Sequence, residues 1–465
     1  MTENHAIVQA GDDGREEEDY ALNHELVERI LKAADEGEAD RLKALMAPLH
    51  AADIADLLEQ VSPAERREIL LLWGSEMDGD VLSELDDSIR EEVISTLPKH
   101  ILAEAVRELD SDDVVDLIED LEEPQQEAIL GVLDDSDRAA VEQSLTYPEY
   151  SAGRLMQREV VSAPEYWTVG ETIDFLRRDQ ELPDQFYHVI LVDPGHHPVG
   201  YVTLGKLLSS RRDLTLKSIT EDSFRTISAT QPEADVAYAF NQYHLISAPV
   251  VDDHDRLVGV ITIDDAMTVL DEEHEEDMLR LAGVNDESHV SDGPVTTARQ
   301  RLPWLVINLF TASLSAVVIS QFEHTISSLV ALAALMPIVA STGGIAGTQS
   351  LAVAVRALAA RDLNASNARR VVRRELLAGV LNGLGLALIL GIAGTVIFGD
   401  PKLGVVLGMA MIVNQIVAAL GGVLVPLTLD RMGLDPALAS GTFVTTLTDV
   451  MGFFAFLGLA TLVLL

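Results

Sequence analysis

The sequence predicts a multi-domain membrane protein. An all-α superhelical N-terminal domain precedes an α/β middle built from a tandem repeat, and a five-helix α transmembrane domain ends the chain. Three observations predict this: charge is split along the chain, a duplication lies in the middle, and five apolar stretches of membrane-crossing length follow residue 300. The 465 residues carry a net charge of −44, yet from Thr296 onward 10 Lys and Arg stand against 7 Asp and Glu. An acidic, water-facing part is therefore joined to a nearly neutral apolar one. Such acidity opposes nucleic acid and anionic lipid as partners and suits cations. Salt adaptation explains the bulk charge equally well, since only 6 of 32 basic residues are Lys. Zero Cys excludes disulfides, Cys-ligated zinc and thiol chemistry. The opening "MTENHAIVQAGDDGREEEDY" lacks the apolar core of a signal peptide, and residues 1–25 read as a disordered acidic tail.

Residues 26–145 show apolar side chains at three- and four-residue spacing, the pattern of short amphipathic helices. Within them "ADLLEQVSPAERREIL" (Ala55–Leu70) aligns with "VDLIEDLEEPQQEAIL" (Val115–Leu130), which suggests repeated helix pairs and a superhelical domain. In the middle, "HVILVDPGHHPVGYVTLGKL" (His188–Leu207) aligns with "SAPVVDDHDRLVGVITIDDA" (Ser247–Ala266). Val192/Val251, Asp193/Asp252, Val199/Val258, Gly200/Gly259 and Thr203/Thr262 are identical pairs. Each copy reads strand, polar turn, strand, helix start. Residues 146–268 thereby resemble a tandem pair of cystathionine-beta-synthase-type (CBS) domains, a regulatory module. His196 and His197 fall in the first copy's turn and read as surface loop residues.

The segment "DDAMTVLDEEHEEDMLRLAGV" (Asp264–Val284) opens a connecting helix assigned to residues 269–298. As a helix it sets Asp265, Glu272, Glu273, Glu276 and Asp277 at spacings where like charges repel. The face is either solvated or bridged by a divalent cation.

The transmembrane domain, 299–465, divides into spans near Leu302–Phe322, Ile326–Val355, Leu376–Phe398, Leu403–Leu429 and Pro436–Leu465. Arg356, Arg361, Arg369, Arg370, Arg373 and Arg374 crowd the second link, which places that link and the large N-terminal part in the cytoplasm and the C-terminus outside. Asp449 is the one carboxylate deep in a span, beside Thr445, Thr446 and Thr448, and intramembrane acids mark ion or proton paths. Asp435 before Pro436 reads as the N-cap of the last helix, on a stripe shared with Asp449. Hard divalent cations take oxygen ligands of this kind, and magnesium keeps most of its waters. A protonated Asp holding helices together is the alternative. In the second span, Pro337, Gly343, Gly344 and Gly347 either loosen the helix or let helices pack closely. Asn414 reads as a helix–helix hydrogen bonder.

Domain order, "YPEYSAGRLM" (Tyr147–Met156), the proline–glycine pattern of the second span and "DPALASGTFVTTLTDV" (Asp435–Val450) together resemble the MgtE family of magnesium channels. The resemblance implies a homodimer with the pore at the subunit interface, its pore aspartate at Asp449 and its cytoplasmic-side acid at Asp435. It also implies regulatory magnesium bridging Asp112, Asp116, Asp265, Glu273, Glu276 and Asp277. Ile345 stands where the family carries Asn, so no side-chain ligand is expected there; Thr268, Pro232, Ala234 and His244 stand where acidic ligands occur, so fewer regulatory cations are expected. Gly205, Lys206 and Leu245 replace the family's ATP contacts, so ATP is not expected as a ligand. The expectation is a homodimeric magnesium channel of the bacterial inner membrane, carrying Mg2+ inward, closed by cytoplasmic Mg2+, and not an enzyme. A proton-coupled transporter of manganese, cobalt or nickel and a non-conducting membrane metal sensor are the alternatives.

Overall fold

A computed structural model of the chain describes residues 22–119, 121, 123–178, 182–183, 186–221, 224–284, 288, 293–364, 366–437 and 440–465. The tail expected at 1–25 lies largely outside these residues. The chain divides into two compact units between Asp271 and Glu272.

The first unit opens with short helices running from His24–Asp35 to Asp135–Ser144. Their ends follow from local chemistry. Ser62 and Glu65 cap one another reciprocally, with Pro63 at the first helical position of Pro63–Trp73. The internal repeat is a helix pair used twice: Ala51–Gln60 with Pro63–Trp73, then Ser111–Glu119 with Glu123–Leu130. Equivalent positions do equivalent work. Leu57 and Leu117, Leu58 and Ile118, and Ile69 and Ile129 are all buried in one shared core. Arg66 donates to the Leu58 carbonyl at 2.7 Å, and its counterpart Gln126 donates to the Ile118 carbonyl at 2.8 Å. One side chain thus closes the end of the preceding helix in each copy, satisfying a carbonyl that the helix itself leaves open.

The duplication further along folds into two three-stranded sheets of the same order. Ser162–Pro164 pairs parallel with His188–Val192, which pairs antiparallel with Pro198–Thr203. Ile227–Ser228, Ser247–Val251 and Leu257–Thr262 repeat that arrangement, with the same register slip one residue before the turn. The identical aspartates explain the slip: Asp193 accepts from the Gly195 and His197 amides, and Asp252 from the His254 and Arg256 amides. Each carboxylate organises a turn that places His196 or Asp255 at positive φ. His197 lies 3.0 Å from the Asp193 carboxylate, a turn contact consistent with its reading as a loop residue. The "YPEYSAGRLM" stretch docks on the second copy, where Ala152 and Gly153 donate to the Gln231 and Ala229 carbonyls.

Among the described residues the second unit carries five helices long and apolar enough to cross a membrane: Pro294–Ser320, Ala331–Ala359, Ala368–Phe398, Pro401–Arg431 and Ser440–Leu464. The shortest apolar stretch, 24 residues, spans about 36 Å at helical rise, enough for a bilayer core. Several boundaries differ from the sequence expectation, among them the start of the first span, which lies at Pro294 rather than Leu302. Ile326 belongs to a short helix, Glu323–Ser328, ahead of the second span. The third helix begins at Ala368, so Arg369, Arg370, Arg373 and Arg374 occupy its first turns rather than a loop. The last helix is described from Ser440, which leaves Asp435 outside it. The fourth span is the most enclosed and packs against the second, third and fifth. Its own Val406 and Met411 share a buried cluster with Val339 of the second span and with Phe456 and Leu457 of the fifth.

Candidate functional site

The last span places Asp449 half-buried, with Thr445 and Thr446 one turn before it on the same face. Thr445, Thr446 and Thr448 each donate to a carbonyl of their own helix, at 2.9, 2.7 and 2.8 Å. Their protons are therefore committed; Thr448 is fully buried, but the lone pairs of the half-buried Thr445 and Thr446 remain as acceptors suited to cation-bound water. Among the described residues Asp449 makes no ion pair; no arginine or lysine neutralises it.

Behind this helix the second span is continuous through Pro337 and its glycines, so the glycines serve close packing rather than a break. A methyl on Gly343 would overlap the Asn414 amide, one on Gly347 would lie 2.6 Å from Val444, and one on Gly422 2.6 Å from the Gly347 carbonyl. Asn414 donates to the Val339 carbonyl at 2.7 Å, the helix–helix bond expected of it. Sequence reasoning missed Glu375, because the third span was expected to begin one residue later. Its carboxylate, only 15 % exposed, pairs with Arg374 at 2.9 Å and accepts from Ser350 of the second span at 3.2 Å.

The cytoplasmic-type acids fall into two groups. In the first unit, helix Ser111–Glu119 presents Asp112 and Asp113 to Asp265, which caps the start of helix Ile263–Leu281 through Thr262 at 2.6 Å. Burial and then the Asp265 charge push Asp112 well above the ordinary carboxylate range. The same two causes push Asp113 up to about 7, and burial pushes Asp265 up to about 6. Asp113 is a further member that sequence reasoning missed, although it adjoins Asp112. Asp116, expected among the ligands, lies on the same helix but meets Arg90 at 2.7 Å, its side chain 60 % exposed.

In the second unit Glu273, Glu276, Asp277 and Asp435 gather around Arg280. The guanidinium bonds Glu276 and Asp435, each at 2.8 Å. The other Asp435 oxygen accepts from the Ala437 amide at 2.8 Å, closing an Asx turn in place of the predicted N-cap. Asp435 and Asp449 therefore do not share a stripe of one described helix. Burial, with neighbouring carboxylates second, raises both Glu273 and Asp277, while Arg280 lowers them. Arg280 follows Glu276 by four residues, an i,i+4 pair that was legible in the sequence.

Among the described residues no three or more Asp, Glu or His converge into a preformed metal cage. The donor chemistry nevertheless suits a hard divalent cation. Asp112, Asp113 and Asp265 are crowded oxygens without a basic partner of their own among the described residues, and a cation that keeps its water shell needs few direct ligands.

Known proteins match in the same order as the fold. The "MgtE intracellular N domain" profile matches residues 49–150, the "CBS domain" profile matches 152–213 and 216–272, and the MgtE "Divalent cation transporter" profile matches 336–459. The "Magnesium transporter MgtE" of Enterococcus faecalis is 36 % identical over 322 residues, covering 69 % of this chain and 71 % of the relative. That of Thermus thermophilus is 32 % identical over 449 residues, covering 95 % of this chain and 99 % of the relative. A solved "cytosolic domain of the Mg2+ channel MgtE in complex with ATP" is 28 % identical, covers 52 % of this chain and 99 % of its own, and aligns with a TM-score of 0.48. With this succession of domains and a relative of 32 % identity matched over nearly its whole length, the chain belongs to the MgtE family of magnesium transporters.

Proposed function

We propose that the chain is a magnesium channel of a bacterial inner membrane, acting as a homodimer, conducting Mg2+ inward and closing when cytoplasmic Mg2+ binds its soluble acids. The observation that carries this reading is Asp449, a carboxylate without a basic partner among the described residues, in an otherwise uncharged last span. An acid at that depth costs several kcal/mol in lipid, about 3 on insertion scales, and is tolerated beside water and a cation. Asp449 from two copies would hold one hydrated ion, with Thr445 and Thr446 accepting from its waters. Conduction needs no chemical step on a substrate, so none is assigned.

In this reading the chain divides into the tail 1–25, the helical domain 26–145, the CBS pair 146–268, the connecting helix 269–298 and the pore domain 299–465. The soluble part lies in the cytoplasm and the C-terminus outside. Regulatory Mg2+ would neutralise Asp112 and Asp265, with Asp113 beside them, and separately the Glu273, Glu276, Asp277 and Asp435 group; Asp116 would contribute only by leaving Arg90. When cytoplasmic Mg2+ falls, the carboxylates repel, and the conformational equilibrium shifts by the difference in cation affinity of its states. ATP has no part in this scheme, because Gly205, Lys206 and Leu245 occupy the positions where the family resemblance places its contacts.

Uptake of magnesium into proteoliposomes tests the reading. Asp449→Ala and Asp449→Asn are expected to lower uptake at least about tenfold, equivalent to losing about 1.4 kcal/mol of cation stabilisation. Full uptake in both variants removes Asp449 from the pore. A flux that requires a proton gradient favours the coupled exchange of manganese, cobalt or nickel instead. No flux from the wild type, with magnesium protection of its soluble part retained, favours a sensor.

A further inference from the structure

The fourth span contains two adjacent polar residues with almost no access to solvent or lipid: Asn414 is 0 % exposed and Gln415 is 2 % exposed. Both donate into the second span. Asn414 Nδ2 reaches the Val339 carbonyl at 2.7 Å, and Gln415 Nε2 reaches the Thr342 carbonyl at 3.3 Å. The other end of the Asn414 amide, Oδ1, is buried without a hydrogen-bond partner among the described residues. A buried acceptor left unpaired costs stability, and an apolar side chain would carry no such unpaired acceptor. The amide is also clamped on two sides by backbone. A methyl at Gly343 of the second span would overlap it, and one at Gly452 of the last span would lie 2.9–3.0 Å from its atoms. Gly452 follows Asp449 by three residues, so the clamp is one helical turn from that carboxylate.

We propose that Asn414 is a positioning residue for Asp449, its carboxamide locking the last span against the Val339–Gly343 stretch and so fixing the depth and direction of the Asp449 carboxylate. The inference rests on the pore reading of Asp449. Two glycines leave a space shaped for a flat amide. The Val339 hydrogen bond fixes the amide's rotation, and the amide's face against Gly452 transmits that position to the turn carrying Asp449. The unpaired oxygen marks a group retained at a cost to packing, as expected where geometry matters more than stability.

The test is magnesium uptake per folded protein for Asn414→Leu, Gly452→Ala and Asp449→Asn, together with thermal midpoints in detergent and the ratio of magnesium to manganese uptake. Asn414→Leu is expected to lower uptake per folded protein roughly tenfold and to shift the cation ratio. Gly452→Ala is expected to shift the ratio in the same direction by displacing the amide. Wild-type uptake and ratio in Asn414→Leu overturn the inference. Uptake that falls only in step with folded protein, in both Asn414→Leu and Gly452→Ala, also overturns it. If Asp449→Asn transports normally, the pore reading fails; if it does not, while Asn414→Leu is normal, only the positioning role falls.

Discussion

The two acidic groups of the soluble and connecting regions hold similar side chains in opposite electrostatic conditions. Around Asp112, Asp113 and Asp265 the carboxylates face one another, and burial together with mutual repulsion raises their proton affinity. Around Glu273, Glu276, Asp277 and Asp435 the chain supplies its own cation, the Arg280 guanidinium, which bonds two of the four. The contrast shows that the number of carboxylates is a poor measure of demand for a divalent ion. What matters is the charge left uncompensated once the chain has folded. In the proposed scheme the first group would gain most from added magnesium. At the second, an incoming cation competes with an arginine already in place.

The largest expected effect comes from the uncompensated group. With magnesium chelated, the first unit of the wild type is expected to lose stability as pH rises from about 5 to about 8. Asp113 and Asp265 have folded pKa values raised to about 7 and about 6, so the native state holds protons that the unfolded chain has already released. Their contribution is full below the ordinary carboxylate pKa and is lost as pH climbs through the raised values. Asp265→Asn should flatten this slope, stabilise the unit at pH 8 by on the order of 2 kcal/mol, and weaken protection by magnesium against limited proteolysis. A pH profile unchanged by Asp265→Asn would remove the repulsion on which the comparison depends.

A smaller effect is expected from the compensated group. If the chain is the magnesium-gated channel proposed above, Arg280→Gln, which leaves Asp435 and Glu276 without their guanidinium, should lower the magnesium concentration needed for closure roughly threefold to tenfold, about 1 kcal/mol. Uptake measured against cytoplasmic-side magnesium reads this directly. A closing concentration that stays level or rises would show that Arg280 does not compete with the ion. The smallest effect belongs to Asp116→Asn. Arg90 keeps its bonds to the Leu85 and Ser83 carbonyls, and an exposed carboxylate contributes at most about 1 kcal/mol. Thermal unfolding should shift by no more than a few degrees and magnesium protection should persist. Loss of that protection would return Asp116 to the cation site.

Much of the architecture was legible because it rests on local periodicity. Five apolar stretches of this length predict helices, since lipid satisfies no backbone group, and five helices long and apolar enough to cross a membrane are found among the described residues, with ends up to eight residues from those expected. The two internal repeats predicted duplicated units, and the structure adds the reason particular residues recur. Asp193 and Asp252 hold matching turns, while Arg66 and Gln126 close matching helices although they differ in type. Boundaries were less legible where a side chain chose between a helix and a turn. Asp435 reads as an N-cap, but its carboxylate closes on Ala437 and takes Arg280 from 155 positions away. Glu375 escaped notice because its acceptor role depends on Ser350, in a neighbouring span.

By itself the sequence determined which segments are helix, strand or membrane span, and that an acid sits inside the last one. These properties depend on the spacing of apolar and polar residues along the chain. Only the tertiary structure decided which charges are neutralised, which glycines are packing surfaces, and that the Asn414 amide lies between Gly343 and Gly452. Those outcomes depend on distances of a few ångströms between residues far apart in sequence, where Coulomb energy and van der Waals overlap change steeply.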